Sequence, residues 1–469
     1  MEGWNRDDSQ KRGLKTEITA TIAAELNDFL DTGTSDGFDL ERVEAALRQK
    51  ALFVAARFLE DKINQDTSDR TGATRSCMFC GQDARYVEQR PKRFTTVLGD
   101  ITITARAYYF CSACNRGFCP KDYRLGLAES SLSPGVVRMV GLVASEGSFM
   151  EGAMLLHELA ALDVSEKCVE RTAKKIGEAM IQDEATVVTA TQNSSTTMYM
   201  GVDGTGVPMR PDELKGRNGK QSDGSAKTRE VKECVVWTAD SRDEKGNPVR
   251  DPGSVRYTAA IESCAWPHAG ISEEVPPFAR RVEREMVRTG YGAAPRQVFI
   301  GDGAAWIWNL AAMVAPDAIQ IVDLYHAKEH LSLLANTVYG AGTDLARQWA
   351  LEQHAALESG RLDLVLKAIA HHKTQSGEIG NKATTEFEYF YNNQQRMRYD
   401  YFRSLDLCVG SGVVEAGCRV VVGQRLKRSG MFWSIPGANA ILALRCGLLS
   451  HRFRSFWERY LASVKSRVA

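Results

Sequence analysis

The sequence predicts a multidomain α+β chain: an α/β layer interrupted by an all-helical insertion, preceded by a small cysteine-bearing module and a group of helices. Three observations carry this. Strand-like and helix-like runs alternate from Thr196 to Leu324. Strand signals stop from about 340 to 405, where the sequence is polar and helical. Upstream, two C-x-x-C pairs flank a β-rich stretch. A chain of 469 residues is also too long for one ordinary core.

Hydrophobic residues at 43% and charged residues at 25% describe a water-soluble folded chain. No apolar run reaches the roughly 18 residues a spanning helix needs, so no membrane partner is expected. MEGWNRDDSQKRGLK at the N-terminus lacks the apolar centre of a signal peptide, and the expected location is cytoplasmic. In that reducing compartment, eleven cysteines read as metal ligands or buried thiols rather than disulfides. The net charge of zero, from 59 basic and 59 acidic residues, hides an asymmetry. From Ser411 to Ala469 ten Lys or Arg face only Glu415 and Glu458, and from Arg85 to Arg124 eight basic residues face three acidic ones. Local positive surface, not the mean, attracts phosphates.

Residues 15–65 carry two apolar helix faces, Leu26, Phe29 and Leu30, then Val43, Ala46, Leu47 and Ala51, separated by TGTSDG at 32–37. QDTSDRTGATR (66–76) reads as a linker. CMFC (77–80) and CSAC (111–114) bracket FTTVLGDITITARAYYF, a hairpin pattern with a Gly-Asp turn. Four thiolates so spaced can close a tetrahedron on Zn²⁺, which replaces the core that so small a module lacks. This is a zinc ribbon with Cys77, Cys80, Cys111 and Cys114 as ligands, and Cys119 left over. Residues 133–185 read as three helices. Within them, the turn ALDVS leads to Ser165, a helix cap, and to a helix with Val169, Ala173 and Ile176 on one face. That is helix-turn-helix architecture, and Lys167, Arg171, Lys174 and Lys175 on its second helix suit DNA phosphates or base edges.

In the α/β layer, TTMYMGVDGTGVPM, VKECVVWTAD and SVRYTAAIES read as three strands, with a polar Gly-rich loop at 210–230 after the first. A helix at 273–290, the strand RQVFIGD, a helix bearing Trp306 and Trp308, and the strand AIQIVDL follow. Between 340 and 405, LARQWALEQHAALESG, RLDLVLKAIAHH and TEFEYFYNNQQRMRYDYFRSL are three helices, and GSGVVEAGCRVVVGQRLKRSG then supplies a helix with Glu415. Asp203 and Asp302 fall at the ends of the first and fourth strands, where carboxyl ends converge. With Glu415 they make a cluster whose natural occupants are two Mg²⁺ ions, the arrangement that serves phosphodiester chemistry. Asp-Gly pairs are also ordinary turn formers.

The segments MGVDGTGVPM, FIGDGAAWIWNLA, IVDLYHAKEHL, GSGVVEAGCRVVVGQRLKRSGMFW and GANAILALR, in order across most of 197–450, resemble bacterial insertion-sequence transposases of the ISKra group, DDE transposases with a ribonuclease H-like core. The resemblance implies Asp203, Asp302 and Glu415 as catalytic ligands of two Mg²⁺ (or Mn²⁺) ions, and Asp323 and His326 as an accessory D-x-x-H element. It also implies that 339–405 is a helical insertion within the core. The reaction implied is hydrolysis at a transposon end, then attack of the freed 3′-OH on target DNA. The partners implied are terminal inverted repeats and target DNA, in a synaptic complex of a homodimer or higher, near the nucleoid.

His326, Glu329 and His330 also spell the H-x-x-E-H of an inverted zinc peptidase. The basic regions have no purpose in a peptidase, so His330 and Glu329 are expected on a solvated helix face, with His326 bonded to Asp323. A further rival is a domesticated DNA-binding protein with an inert core. Arg419, Arg425, Lys427 and Arg428, on or beyond the Glu415 helix, are expected to hold DNA phosphates. Trp306 and Trp308 are expected in the core, and Trp433 is the candidate for a DNA contact. The expected domains are 1–70 (helical), 71–126 (zinc ribbon), 127–190 (helix-turn-helix), 195–338 (core, first part), 339–405 (insertion), and 406–469 (Glu helix and basic tail).

Overall fold

The structure, a computed structural model, describes residues 20, 23–24, 39–190, 195–219, 226–265 and 275–466. The first expected helix and its break at 32–37 lie almost wholly outside them. The chain divides into two compact units, Met1–Ala173 with Arg454–Ala469, and Lys174–Phe453.

In the first unit, α1 (Leu40–Gln65) is capped by Asp39, whose side chain accepts from the Arg42 N–H. The expected face at Val43, Ala46, Leu47 and Ala51 is not the one that packs, and Leu47 is 43% exposed. Ala56, Leu59 and Ile63 pack instead, against Phe94, Ile101, Ile103 and Leu127. The periodicity reports a face, but the short hairpin beneath it covers only the second half of the helix. The cysteine module is a sheet of β1 (Thr74–Ser76), β2 (Asp83–Gln89), β5 (Ala107–Cys111) and β6 (Arg116–Phe118), all antiparallel. β3 (Lys92–Thr96) and β4 (Gly99–Ile103) form a separate ribbon. The single expected hairpin is therefore two structures. Its turn is Val97-Leu98, since Thr96 pairs with Gly99. The expected linker is also folded in. Asp69, 3% exposed, accepts from the Ala107 N–H at 2.8 Å and lies 3.5 Å from the buried Lys121 Nζ.

α2 (Pro120–Leu125) precedes the helical group α3 (Pro134–Glu146), α4 (Phe149–Ala160) and α5 (Glu166–Thr186). Ser148 and Glu151 cap α4 reciprocally. Ser165 accepts from the Cys168 N–H at 3.3 Å, as its position predicts. α5 buries Val169, Ala173, Ile176 and Met180 on one face and continues into the second unit.

The second unit is built on a 5-stranded sheet of order β11-β8-β7-β12-β13. β7 (Thr197–Pro208), β8 (Thr228–Thr238) and β11 (Arg256–Ala260) run antiparallel, with β9 (Ser241–Arg242) and β10 (Pro248–Val249) as a small ribbon between the last two. After α6 (Pro277–Thr289), β12 (Arg296–Gly301), α7 (Ala305–Val314) and β13 (Ile319–Val322) complete the sheet, with β12 parallel to both β7 and β13. The inner strands are continuous buried runs, as a sheet covered on both faces requires.

From β13 the chain leaves the sheet through α8 (Leu324–Tyr339), α9 (Asp344–Glu358), α10 (Leu362–Lys373), α11 (Glu378–Asn392) and the short α12 (Tyr399–Ser404). The third expected helix starts earlier, at Glu378, and breaks before Tyr399. The chain returns as α13 (Gly412–Gly417), a widened π-type stretch over Cys418–Gly423, and α14 (Gln424–Leu426). α15 (Ile435–Leu449) and α16 (Phe453–Ser466) follow. Among the described residues no helix is long and apolar enough to cross a membrane.

A buried ionic network links α5, α6 and Arg452. Glu285, 0% exposed, lies 2.7 Å from Arg452 and 3.3 Å from Arg288, and Arg452 also reaches Glu184 at 3.2 Å. Removing one member leaves a buried charge short of a partner. Glu285→Ala should therefore cost about 3–5 kcal/mol in urea unfolding. A loss below about 1 kcal/mol, the worth of an exposed pair, would contradict this.

Candidate active site

Register sets the site. Ile300 and Gly201 are the last pair between β12 and β7, and Asp203 and Asp302 both lie just past it. Asp203 is inside its strand, not at its end, because β7 runs on to Pro208 paired with β8. Asp302 turns the chain, accepting the Ala304 N–H at 2.8 Å. Gly303 follows at φ 103°, and a Cβ there would stand 2.4 Å from the Tyr389 ring. The Tyr389 hydroxyl donates to the Asp302 carbonyl at 2.8 Å, so α11 grips this turn. Glu415 arrives on α13, whose Val414 presses onto the sheet at Gly201. A Cβ on Gly201 would meet Val414 at 2.2 Å, so only glycine lets the helix so close.

These elements enclose a cavity of about 330 Å³ lined by Asp203, Asp302, Asp323, His326, Glu329 and Glu415, with no Lys or Arg among its lining residues. Burial holds the Asp203 carboxyl above its usual range. The Gly204 N–H and Cys418 thiol oppose this, and the charge of Asp302 adds to it. Hard oxygen donors lining one cavity without Lys or Arg are the donor type that suits Mg²⁺ or Mn²⁺. The three carboxylates do not draw within 4.8 Å of one another. Among the described residues only the four ribbon cysteines do.

Asp323 is buried and serves as a clamp. Its Oδ1 accepts the N–H groups of Tyr325 at 2.6 Å and His326 at 3.0 Å. Its Oδ2 accepts the Ser411 N–H at 2.5 Å and the Ser411 hydroxyl. The expected bond from the His326 ring to Asp323 is not made, because the carboxylate is taken by these donors. The ring instead meets His330, Nε2 to Nε2, at 3.3 Å. His330 is not on a solvated face: its Nδ1 lies 2.7 Å from Glu386 Oε2 and its ring stacks on Tyr389 at 4.0 Å. Glu329 is solvated, as expected, with its side chain 66% exposed. Among the described residues no third metal-ligand atom joins the two histidines within 4.8 Å.

Two residues of the site were not foreseen. Glu233, on β8 opposite Asp203, is 0% exposed, and among the described residues neither carboxylate oxygen has a hydrogen-bond partner. Burial pushes its carboxyl up to about 8, against the Cys418 thiol and with the help of the Asp203 charge. Cys418 donates to Asp203 Oδ2 at 3.3 Å, one turn beyond Glu415. A lone Glu inside the buried run KECVVWT was the available signal for the first, and nothing marked the second.

In the ribbon, Cys77 and Cys114 lie 3.7 Å apart, and Cys80 and Cys111 lie 3.6 Å apart. All four sulfur atoms lie within 4.8 Å of one another, a set that can hold one tetrahedral ion such as Zn²⁺. Burial opposes ionisation of Cys77, yet the backbone N–H groups of Phe79 and Cys80 and the neighbouring thiols bring it down to about 7. Cys119 stands outside the set, and burial pushes its thiol up to about 11.

Of the residues expected to face DNA, Lys167, Arg171 and Lys175 are exposed on α5 and Lys174 is half-buried. Arg419, Lys427 and Arg428 are exposed. Arg425 is not available: it is 0% exposed, with its guanidinium over the Trp433 ring. Trp433 is buried too, because its backbone pairs with the end of β7 and its indole N–H donates to the Leu426 carbonyl at 3.0 Å. Trp308 is buried as expected, and Trp306 is half-buried beneath Lys232.

No family model matches this sequence, and no curated protein matches it. Among solved structures, the Drosophila P element transposase strand transfer complex aligns over 74% of this chain and 86% of that one, at 12% identity and a TM-score of 0.23. A TM-score at that level assigns neither fold nor function.

Two outcomes are expected. The full-length protein should carry one zinc per chain by elemental mass spectrometry, and lose it on Cys77→Ser with Cys114→Ser. Protein prepared without chelator that holds no zinc would remove the ribbon metal. For Glu233, the folded carboxyl titrates near 8 against a reference of 4.5, so its bound proton stabilises the fold. That contribution is complete below the unfolded value and is lost as pH rises toward about 8. In metal-free buffer Glu233→Gln should thus raise the urea midpoint at about pH 9 and change it little near pH 4. A Gln variant less stable than wild type at high pH would refute the assignment.

Proposed function

We propose that this chain is a DNA transposase of the DDE type, which cuts phosphodiester bonds at the ends of a mobile element and joins the freed 3′ ends to target DNA. The observation that carries the reading is the cavity. Three carboxylates, Asp203, Asp302 and Glu415, far apart in sequence, reach one pocket together with Asp323 and His326, and neither Lys nor Arg is among its lining residues. The sheet supports it. Three antiparallel strands, then two parallel ones beside the first, is the order of a ribonuclease H-like core. The helical excursion between the fifth strand and the Glu helix falls where that class of transposase carries an insertion.

Asp203, Asp302 and Glu415 would hold two Mg²⁺ or Mn²⁺ ions. When bound, the ions lower the barrier to attack on phosphorus and stabilise the leaving oxygen. The chain's own residues do the rest. Asp323 fixes the ends of α8 and α13, so that His326 and Glu415 face one space. Lys427, bonded to the Thr205 hydroxyl beside Asp203, and the exposed Arg419 and Arg428 offer charge to backbone phosphates. Lys167, Arg171 and Lys175 offer the same on α5. Terminal inverted repeats and target DNA are the partners this reading implies, in a dimer or higher assembly. The zinc-peptidase reading is not favoured, since His330 is held by Glu386 and, among the described residues, no third ligand joins the pair.

Asp203→Ala, Asp302→Ala and Glu415→Ala should each abolish Mg²⁺- or Mn²⁺-dependent cleavage of a labelled element end. DNA affinity at fixed salt should stay within about threefold, since binding rests on Lys and Arg. A Glu415→Ala protein that cut at the normal rate would show that another residue, Glu329 first, is the third ligand.

A further inference from the structure

Helix α11 of the insertion reaches the carboxylate cavity through two histidines of α8, and their hydrogen bonds constrain where the protons sit. Glu386, on α11, is 1% exposed and lies 2.5 Å from Lys382 Nζ. Burial opposes its charge, but His330 and Lys382 outweigh that and hold the carboxyl below its usual range. Glu386 is thus an anion that only accepts. His330 Nδ1, 2.7 Å away, must carry a hydrogen, because a bare nitrogen there would set two acceptors against each other. A neutral His330 then has a bare Nε2. Facing it at 3.3 Å is His326 Nε2, which must be the donor. The lone pair of His326 is left on Nδ1, the nitrogen on the other side of the ring. That atom lies 3.8 Å from Glu329, and both residues line the cavity. The His330 ring cannot swing out of this line, since it stacks on Tyr389 at 9° between planes, and Tyr389 is tied to Asp302.

We propose that Glu386 and His330 are positioning residues that set His326 as the proton acceptor of the cavity. This rests on the reading of the site as one for phosphodiester cleavage. As the attacking water or 3′-OH forms its O–P bond, its O–H proton passes to His326 Nδ1. The P–O bond to the departing 3′ oxygen breaks, its electron pair stays on that oxygen, and the oxygen takes a proton from solvent. The imidazolium formed on His326 faces His330, whose far side rests on the Glu386 charge.

The test has two arms on the full-length chain. In ¹⁵N-histidine-labelled protein without DNA or divalent metal, His330 should be the Nδ1–H tautomer, ordinarily the minor one for imidazole. A coupling across the hydrogen bond should join the two Nε2 atoms. Glu386→Met should return His330 to the Nε2–H form and abolish the coupling. In the second arm His330→Phe keeps a ring on Tyr389 but removes both nitrogens. It should slow cleavage ten- to a hundredfold with DNA affinity unchanged, and add no further loss to His326→Ala. Wild-type His330 found as an imidazolium or as Nε2–H, a stoichiometric metal between the rings, or a His330→Phe protein at full rate would each overturn the proposal. A wild-type chain that cuts no DNA would instead defeat the enzymatic reading, and the proton-acceptor role with it. The spectra would then decide the hydrogen-bond chain alone.

Discussion

The second unit is organised around one buried carboxylate. Asp323 takes four donors, two from the first turn of α8 and two from Ser411 at the start of α13. Those are the two ends of the helical excursion, and the Leu324 N–H to Val409 carbonyl bond closes it further. A carboxylate suits this place, since an asparagine would turn its NH₂ toward a backbone N–H, which cannot accept. Hydrogen bonds to a charged acceptor contribute roughly 1.5–3 kcal/mol each. The same group therefore fixes where the insertion leaves, where it returns, and the space that His326 and Glu415 share.

Electrostatics gives that space its second property. Asp203 is held above its usual range, its lining neighbours include Asp302, Glu329 and Glu415, and the buried Glu233 sits opposite Asp203 on the next strand. His326 is the one nitrogen side chain among its lining residues, which include neither Lys nor Arg. A fold does not gather so many carboxyl groups without cost, and the cost is smallest when cations or protons share the site. Burial raises the Glu233 carboxyl to about 8, which favours its protonated form, and the oxygen donors lining the cavity are of the type that suits a divalent cation. The tight contact of Val414 on Gly201 and of Tyr389 on Gly303 shows how closely helices approach from two sides to make this enclosure.

Much of this was legible in the sequence, and the rest was hidden for definite reasons. Alternating strand and helix runs gave the order of the sheet elements, and Asp203, Asp302, Asp323, His326 and Glu415 do share one cavity. The paired knuckles foretold the sulfur cluster, because each C-x-x-C holds two thiols together and the pairing of β2 with β5 brings the two pairs side by side. What failed was burial. Arg425 and Trp433 read as surface groups because they sit in a basic run, yet the segment folds back along β7 and buries both. His330 read as solvated because its partners, Glu386 and Tyr389, come from a helix distant in sequence. The face of α1 was misread for a related reason: periodicity does not say how far along a helix its partner extends.

The cavity of Asp203, Asp302 and Glu415 is proposed to hold divalent cations. The most direct test is anomalous scattering at the manganese edge from crystals grown with Mn²⁺. The expected result is density among those three carboxylates that is lost in Asp203→Ala. Manganese found only between His326 and His330, or none in the cavity at saturating concentration, would contradict it.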